Sequence, residues 1–379
     1  MLATIETMTR RRNWQEEARQ IAAGIVACGE AHDADDSFVS EGYAALKQAG
    51  FFKALVPEEF GGGGATVGEM CDAIRIIAAS CGSTGLAFSM HCHLVAVAVW
   101  RWQKQGAPTD GLLKRVAAED LILVSSGGSD WLKSAGTAER VEGGFKITAR
   151  KAFSSGSPHG DLLMTSAVYD DPEEGPTVLH FAVPLKCDKV QHLPTWQVMG
   201  MRGTGSNDIL IEGLFVPDAA VAGKRPQGPW HMLFHIISMM AFTLIYAAYR
   251  GVAEGARARA LEAAAKRPAD PLLAQLAGEL ENAFLSMNLA HDRMIAIAED
   301  GAPGPETTSE VMACRTLVGR HAIATVEKAM EVAGGGSFYR KSGLERAFRD
   351  IQAARFHPLQ EKQQLDLTGR VALGWNIDG

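Results

Sequence analysis

The sequence lacks the cysteine patterns that form disulfides or hold zinc. Its six cysteines are scattered over 379 residues, and no two of them form a CxxC pair. Disulfide-rich secreted domains and zinc sites both use cysteines at short, regular spacings. We therefore expect no disulfide framework, no metal site and a reduced, cytoplasmic location.

A surplus of basic residues is also absent. The chain has 37 lysines and arginines against 44 acidic residues, which gives a net charge of −7. Proteins that bind nucleic acid or anionic lipid usually present clustered positive charge. Nucleic acid is therefore not expected as a partner.

One apolar run approaches the length of a membrane span, and it is interrupted by polar residues. Residues 232–249 barely reach the ~18-residue threshold and contain His235, Ser238 and Thr243. The basic N-terminus has no apolar stretch after it, so we expect no signal peptide. A helix buried inside the protein is favoured, and no membrane is expected as a partner.

The residue pattern of the sequence changes twice along the chain, which predicts three domains. Residues 1–119 have helical spacing, residues 120–228 have short β-branched runs between turn residues, and residues 229–379 return to long helices. The break at Glu142–Gly144 is typical of a hairpin. A stripe with three- and four-residue steps on one of the later helices includes His291, which is favoured as a core histidine over a ligand.

Five segments occur in an order that resembles the acyl-CoA dehydrogenase superfamily. They are GFFKALVPEEFGGGG, SSGGSD, MGMRGTGSNDILIEGLFVP, EVAGGGSF and GLERAFRD, within residues 37–355. The resemblance implies an α+β, mainly α fold with an N-terminal helical domain, a central β-barrel-like domain and a C-terminal four-helix bundle. It also implies a bound flavin, FAD with FMN possible, and a homotetramer built as a dimer of dimers.

The SSGGSD loop and the strand after it are the expected flavin contacts. Gly127–Gly128 let backbone N–H groups approach an anion closely, and Ser129 adds a hydroxyl; a plain strand-end turn would use the same residues. Phe153 and Ser155 lie two apart on a predicted strand, so both should face one side. Following the family, we expect Phe153 to pack on the isoalloxazine ring and Ser155 to bond near N5.

Two more segments are expected, from the resemblance, to reach the flavin of a neighbouring subunit. The EVAGGGSF loop ends a helix at glycines, and the guanidinium of Arg267 suits a phosphate, although a cation at a helix end is an equally good interpretation of Arg267. Arg349 and its acidic neighbours are expected to be structural ion pairs. The predicted cofactor-binding residues are Ser125, Gly128, Ser129, Phe153, Ser155, Arg267, Glu331 and Gly335.

The family's catalytic base is missing from this chain. Dehydrogenation of an acyl thioester needs a carboxylate to remove the α-proton, but the two positions that carry it in the family are Pro358 and Ala241 here. His357 precedes the first of them. This resembles the flavin-dependent monooxygenases of the same fold, such as the dibenzothiophene- and phenol-hydroxylating types, which have a serine matching Ser155 and a histidine matching His357.

The resemblance favours a monooxygenase that works through a flavin C4a-peroxide. An ordinary imidazole with a pKa near 6.5 could then serve as acid or base, unless His357 only caps the preceding helix. The predicted catalytic residues are His357, Ser155, His93 from the MHCH stretch, and Glu361.

Two alternatives remain: an acyl-CoA dehydrogenase with Glu361 as a displaced base, and a silent protein that binds flavin or acyl groups. Expected partners are a small-molecule substrate, either an acyl-CoA or an aromatic or hydrophobic compound, and a flavin reductase or electron-transfer flavoprotein.

Overall fold

Helices form the first part of the computed structural model, which describes residues 12–379. They are α1 (Trp14–Gly24), α2 (Val26–Asp35), α3 (Ser40–Gln48), α4 (Val67–Ser80), α5 (Gly82–Gln105) and α6 (Asp110–Glu119). α4 begins with a capping box, because the Thr66 hydroxyl accepts from the Glu69 N–H and the Glu69 carboxylate accepts from the Thr66 N–H. Gly50, at φ 66°, follows the end of α3 in the left-handed conformation that suits glycine.

The middle of the chain forms one mixed sheet. Its strands are β1 (Leu123–Ser125), β2 (Thr137–Val141), β3 (Gly144–Lys151), β4 (Leu162–Asp171), β5 (Gly175–Pro184), β6 (Val190–Leu193), β7 (Asp208–Pro217) and β8 (Gly223–Pro226). The spatial order is β6-β7-β3-β2-β4-β5-β8, with β1 parallel to β4. No pairing joins β6 to β8 within residues 12–379, so the barrel-like domain is an open sheet.

The predicted hairpin is confirmed. Val141 of β2 pairs with Gly144 of β3 across a two-residue turn, and Gly143 in that turn has φ 75°. A positive φ is what tight hairpin turns require of their glycine.

Helices return in the last part of the chain. They are α7 (Met232–Ala264), α8 (Pro271–Asp300), α9 (Pro305–Ala333), α10 (Leu344–Ile351) and α11 (Glu361–Ala372). α7 packs against α4, α5, α8 and α9, so its apolar residues are covered on several sides. The first and last helical parts share one apolar core, whereas the sheet has a second core of its own. The predicted α+β, mainly α fold is confirmed.

Within residues 12–379, two helices are long and apolar enough to span a membrane by length and composition. They are Gly82–Gln105 and Met232–Ala264, and the apolar windows are 78% and 83% buried inside the protein. The expectation of a single such run was therefore wrong, because α5 also qualifies. Burial to this extent is typical of core helices.

His291 on α8 is a core histidine, as the stripe indicated. Its side chain is 1% exposed. Nε2 bonds to the Thr243 carbonyl at 2.9 Å, and Nδ1 lies 3.2 Å from Arg250 Nη1. Both ring nitrogens are thus used in packing α8 against α7.

Candidate active site

Three segments singled out in the sequence meet at one place. A Cβ added to Gly128 would lie 2.9 Å from Cγ of Pro358, and one added to Gly127 would lie 2.5 Å from the Ala152 carbonyl oxygen. The Gly127 N–H also donates to that oxygen at 3.0 Å. The SSGGSD loop, the end of β3 and the segment around His357 are therefore in contact, and the two glycines are required by this close approach.

A buried ion pair anchors the loop on the side of the sheet. Lys151 is completely buried, and its Nζ donates to both carboxylate oxygens of Asp130 at 2.8 Å. The same ammonium donates to the carbonyls of Ala135 and Ser166 at 2.5 Å. Thr165 donates to Asp130 at 3.0 Å. This network joins the loop to β3 and β4.

The expected placement of Phe153 on a strand is wrong. β3 ends at Lys151, and Phe153 adopts φ 57° in the turn that follows. Its ring is 57% exposed and lies edge-on to Trp196, with 5.8 Å between ring centroids. Ser155 is buried instead. The two residues do not share the face of a strand, because the chain turns where it packs against Gly127.

The hydroxyl of Ser155 belongs to a directed chain of hydrogen bonds. The Thr204 hydroxyl donates to the Met201 carbonyl at 2.9 Å. Ser206 Oγ lies 2.7 Å from both Thr204 Oγ1 and Ser155 Oγ. The single hydroxyl proton of Thr204 is used on Met201, so Ser206 must donate to Thr204. The proton of Ser206 is then used as well, so Ser155 donates to Ser206. Ser155 is therefore left with oxygen lone pairs, which accept a hydrogen bond.

His357 is held by side chains from α7 and α9. Its Nε2 lies 2.6 Å from the Tyr249 hydroxyl oxygen, and Arg315 Nη2 donates to its backbone carbonyl at 2.6 Å. Burial, then the positive charge of Arg315 and the neighbouring His93, lowers the pKa of His357 to about 3. The expected ordinary imidazole is corrected: the ring is neutral at pH 7.

His91 and His93 have different surroundings although both are buried on α5. His91 Nε2 bonds to the Phe52 carbonyl at 2.6 Å, and its Nδ1 accepts from the Leu123 N–H at 2.9 Å. His93 Nδ1 is buried with no partner among residues 12–379. Burial lowers the pKa of both rings to about 4. His91 is a structural residue, while His93 keeps a polar atom free for a ligand.

Glu361 does not lie with the other candidates. It begins α11, and its oxygens accept from Nη2 and Nε of Arg320 at 2.5 and 3.1 Å in an exposed ion pair. This hydrogen bonding lowers the pKa of Glu361. The alternative in which Glu361 is a displaced base gains no support from this surface ion pair, and the family's other base position, Ala241, is a buried alanine of α7.

The acidic and basic residues of α10 serve structure. Arg349 pairs with Asp33 at 2.6 Å and with Glu345 at 2.8 Å, as predicted. Asp350 is buried and accepts from the Met201 N–H. Burial raises the pKa of Asp350 to about 6. These contacts connect α10 to α2 and to the segment that carries Thr204 and Ser206.

Arg267 and the glycine loop after α9 lie together at the surface. Arg267 Nη1 donates to the Val332 carbonyl at 2.9 Å, which caps the end of α9 within the same chain. A Cβ added to Gly335 would meet nothing within 4 Å. Phe338, at the end of this loop, is 84% exposed. The expected approach of this loop to another subunit stays a prediction.

The remaining predicted cofactor contacts have unequal support. Glu331 pairs with Lys328 at 3.0 Å on the surface. Ser125 ends β1 and pairs with Met164 of β4, at the start of the SSGGSD loop. The side chain of Ser129 lies outside the part of the chain that the structure describes.

Four residues of this region were missed by sequence reasoning: Lys151, Tyr249, Arg315 and Arg225. Arg225 of β8 donates to His180 Nε2 at 3.1 Å and to the carbonyls of Leu132 and Trp131 at 2.5 and 3.2 Å. It thereby fixes the segment that follows the SSGGSD loop. The alternation of β3 could have indicated Lys151, because it lies four residues after Ile147 and therefore faces the same buried side of the strand.

The residues present fit a flavin. The expected use of the Gly127 N–H on an anion is not seen, because it donates to Ala152 and the space beside Gly127 and Gly128 is filled by Ala152 and Pro358. The fit rests on an acceptor hydroxyl at Ser155 and a neutral imidazole at His357. His93 adds a buried nitrogen that has no partner within residues 12–379. A flavin ring offers an apolar face and a polar edge, and this donor and acceptor set suits such an edge.

Two family models match the chain. One, described as the N-terminal domain of acyl-CoA dehydrogenase, matches residues 9–106, and the other, described as its C-terminal domain, matches residues 243–361. Among curated relatives, the oxygenase subunit HsaA of a flavin-dependent monooxygenase from Rhodococcus jostii is 26% identical, over 96% of this chain and 94% of that protein. The putative acyl-CoA dehydrogenase YdbM from Bacillus subtilis is 25% identical, over 92% and 93%.

Solved structures give the same fold. KijD3, in complex with FMN and a dTDP-linked keto sugar, superimposes with a TM-score of 0.87 at 23% identity, over 95% of this chain and 93% of that chain. Dibenzothiophene monooxygenase TdsC from Paenibacillus sp. A11-2 gives a TM-score of 0.82 at 19% identity, over 96% and 97%. With the two family models together covering more than half of its length, the chain belongs to the acyl-CoA dehydrogenase superfamily.

Proposed function

We propose that this chain is the oxygenase component of a two-component, flavin-dependent monooxygenase. The observation that carries the proposal is the replacement of the dehydrogenase base by a neutral imidazole. Pro358 stands at the base position and contacts the SSGGSD loop, and His357 beside it has a pKa of about 3. A base this weak cannot remove the α-proton of a thioester.

The polar atoms of the site suit a reaction that needs hydrogen bonds and not a strong base. Neutral His357 can donate from one ring nitrogen while the other accepts. Ser155 offers an acceptor because its proton goes to Ser206. Both side chains are held by further hydrogen bonds, so they are positioned before a substrate arrives.

The flavin would be held by the SSGGSD loop, Ser155 and the turn at Phe153, with Arg267 reaching a neighbouring subunit. When reduced, it would supply the two electrons that activate dioxygen. FAD was the expectation from sequence; the structures of KijD3 and TdsC are named as FMN complexes, which supports FMN. Equilibrium binding of each flavin, in both redox states, distinguishes the two.

The proposed partners follow from the same relatives. The name "oxygenase subunit" given to HsaA supports a separate flavin reductase. TdsC is also described with indole bound, which supports a small, largely apolar organic substrate. The exposed loop at Gly335 and Phe338, with Arg267 beside it, supports a homo-oligomer, and a tetramer remains the expectation.

The test combines the purified chain with a flavin reductase, NADH, FMN and a panel of phenols, indoles and organosulfur compounds. His357→Ala should bind flavin normally but form roughly 100-fold less oxygenated product, at the lower end of the 10²–10⁴-fold effect typical of a positioned acid–base group. The missing reducing equivalents should appear as hydrogen peroxide. Product by mass spectrometry and peroxide by a coupled assay measure the ratio.

Glu361→Gln is the matched control, because it removes a carboxylate four residues away from His357. The proposal expects normal product formation from this variant. Rapid anaerobic reduction of the flavin by an acyl-CoA, abolished in Glu361→Gln, would overturn the proposal in favour of a dehydrogenase. A chain that binds neither FMN nor FAD would contradict both functions.

A further inference from the structure

Three side chains from α7 and α9 hold the segment that carries His357. The Tyr246 hydroxyl donates to the Ala354 carbonyl at 2.6 Å, and Arg315 donates to the His357 carbonyl at 2.6 Å. The third contact reaches the ring itself, where Tyr249 Oη lies 2.6 Å from His357 Nε2. The first two contacts fix the backbone, and the third fixes the imidazole.

The direction of the third hydrogen bond follows from the surroundings of Tyr249. Its side chain is fully buried, and the ring nitrogen of His357 is its only hydrogen-bond partner within residues 12–379. If Nε2 carried the proton and donated, the buried phenol O–H would have no acceptor, which is costly. The phenol is therefore the donor and Nε2 the acceptor.

A neutral imidazole that accepts at Nε2 carries its proton on Nδ1. Nδ1 of His357 has no hydrogen-bond partner among the described residues, and the residue is only partly buried. It is therefore accessible to a ligand. By contrast, His91 uses both of its nitrogens on backbone groups.

We propose that Tyr249 is a positioning residue that locks His357 in its Nδ1-protonated, neutral tautomer, so that Nδ1–H is the hydrogen-bond donor offered to the reacting molecules. The functional part of this inference rests on the proposed monooxygenase activity. Its structural part, the tautomer, does not depend on that activity.

Charged and titratable neighbours favour the neutral ring. The groups that face His357 are His93 on α5, Tyr246 and Tyr249 on α7, and Arg315 on α9. Arg315 is 2% exposed, and its partners among the described residues are the His357 carbonyl and the ring of Tyr246, with no carboxylate. A positive charge that is neither screened nor neutralised opposes a second positive charge nearby. An imidazolium at this position is therefore disfavoured.

The test is the tautomer of His357, measured by NMR on protein labelled with ring-¹⁵N histidine at pH 7 without flavin. His357→Gln identifies the signals. The expected spectrum shows a protonated Nδ1 and an unprotonated Nε2. Tyr249→Phe keeps the ring and removes the donor, so the population of the Nδ1–H tautomer should fall. The wild-type spectrum alone overturns the inference if Nε2 is protonated or if the ring is an imidazolium.

Tyr246→Phe is the matched control, since it removes a phenol one turn earlier on α7 that donates to the Ala354 carbonyl and not to the ring of His357. It should leave the His357 tautomer unchanged, and an equal change in both variants would overturn the specific role of Tyr249. In turnover, Tyr249→Phe should lower the product formed per NADH on the order of 3- to 10-fold, as expected for one hydrogen bond, with more hydrogen peroxide. If the wild type shows the expected tautomer but oxygenates nothing, the proposed function fails and the assignment of Tyr249 stands.

Discussion

The charged side chains on the two sides of the site differ in how completely they are paired. On the side of the sheet, Lys151 and Asp130 satisfy each other and are surrounded by further donors and acceptors. On the side of the helices, Arg315 is buried without a carboxylate, and its Nε has no partner among the described residues. His93 Nδ1 also lacks a partner in the part of the chain that the structure describes.

This difference separates a structural role from a binding role. A buried charge is tolerated when it is paired and fully hydrogen-bonded, and the sheet side meets this condition without any ligand. Unpaired buried polar atoms are costly, so their persistence on the helix side indicates groups that a ligand completes. Variants on the two sides should therefore have different effects. Variants on the sheet side should lose stability, whereas variants on the helix side should fold but form less oxygenated product.

The largest expected effect comes from breaking the sheet side. Asp130→Ala leaves the ammonium of Lys151 buried and unpaired, and removing one partner of a buried pair typically costs about 3–5 kcal/mol. We expect a loss of this order in the free energy of unfolding, with a clear fall in melting temperature. Chemical denaturation of the flavin-free protein measures it.

Asp218→Ala is the matched control in the same sheet. Asp218 pairs with Arg140, but both side chains are about half exposed. Exposed pairs contribute about 0–1 kcal/mol, so the control should be nearly as stable as the wild type. Equal losses in the two variants would contradict the structural role assigned to the buried pair.

The second largest expected effect is the loss of folding stability at low pH that the buried histidines cause. His91, His93 and His291 are neutral in the folded protein because burial lowers each pKa to about 4. In the unfolded chain they protonate near 6.5, so the unfolded state binds more protons and stability falls as pH drops below 6.5. Each contributes up to about 1.4 kcal/mol per pH unit.

Asp350 changes folding stability with pH in the direction opposite to that of the histidines. Its pKa is raised to about 6, so the folded state binds its proton first and partly offsets the histidines between pH 6 and 4. The pKa values of His180 and His357 are lowered further, to about 3, so five histidines contribute. The net loss one pH unit below 6.5 should be on the order of 4 kcal/mol. Denaturation midpoints at pH 7.5, 6.5 and 5.5 test this, and constant stability across the series would contradict the neutral histidines.

Local motifs in the sequence were sufficient to predict the fold and to single out the segments that meet at the candidate site. Glycine runs, the hairpin break and helical spacing are each local in the chain, and the structure brings the SSGGSD loop against Pro358. Sequence reasoning failed for Phe153, because the left-handed turn there depends on packing against Gly127, which is distant in sequence.

Tyr249 and Arg315 could not have been found in the same way. Both lie on long helices of the bundle, where a tyrosine or arginine on an inner face has the same spacing as any core residue. Their roles depend on where residues 354–357 pass across α7 and α9. That information lies in tertiary packing.

The smallest expected effect concerns the hydroxyl chain behind Ser155. Ser206→Ala removes the acceptor of the Ser155 proton, so Ser155 becomes free to donate. Oxidised flavin accepts at N5 and reduced flavin donates there. With Ser155 facing N5, as proposed, a fixed acceptor would favour the reduced form. The ratio of dissociation constants for oxidised and reduced flavin should fall by roughly 3- to 10-fold in Ser206→Ala, the equivalent of one hydrogen bond.

Ser157→Ala is the appropriate control for this measurement. Ser157 lies two residues after Ser155 and is buried like Ser206. Its hydroxyl donates to the Gly205 carbonyl at 3.3 Å and takes no part in the hydrogen-bond chain from Ser155 to Met201. Its ratio of dissociation constants should match that of the wild type. Because neither variant touches the buried pair of the sheet side, both should keep melting temperatures close to the wild type. An unchanged ratio in Ser206→Ala would show that Ser155 does not distinguish the two redox states of the flavin.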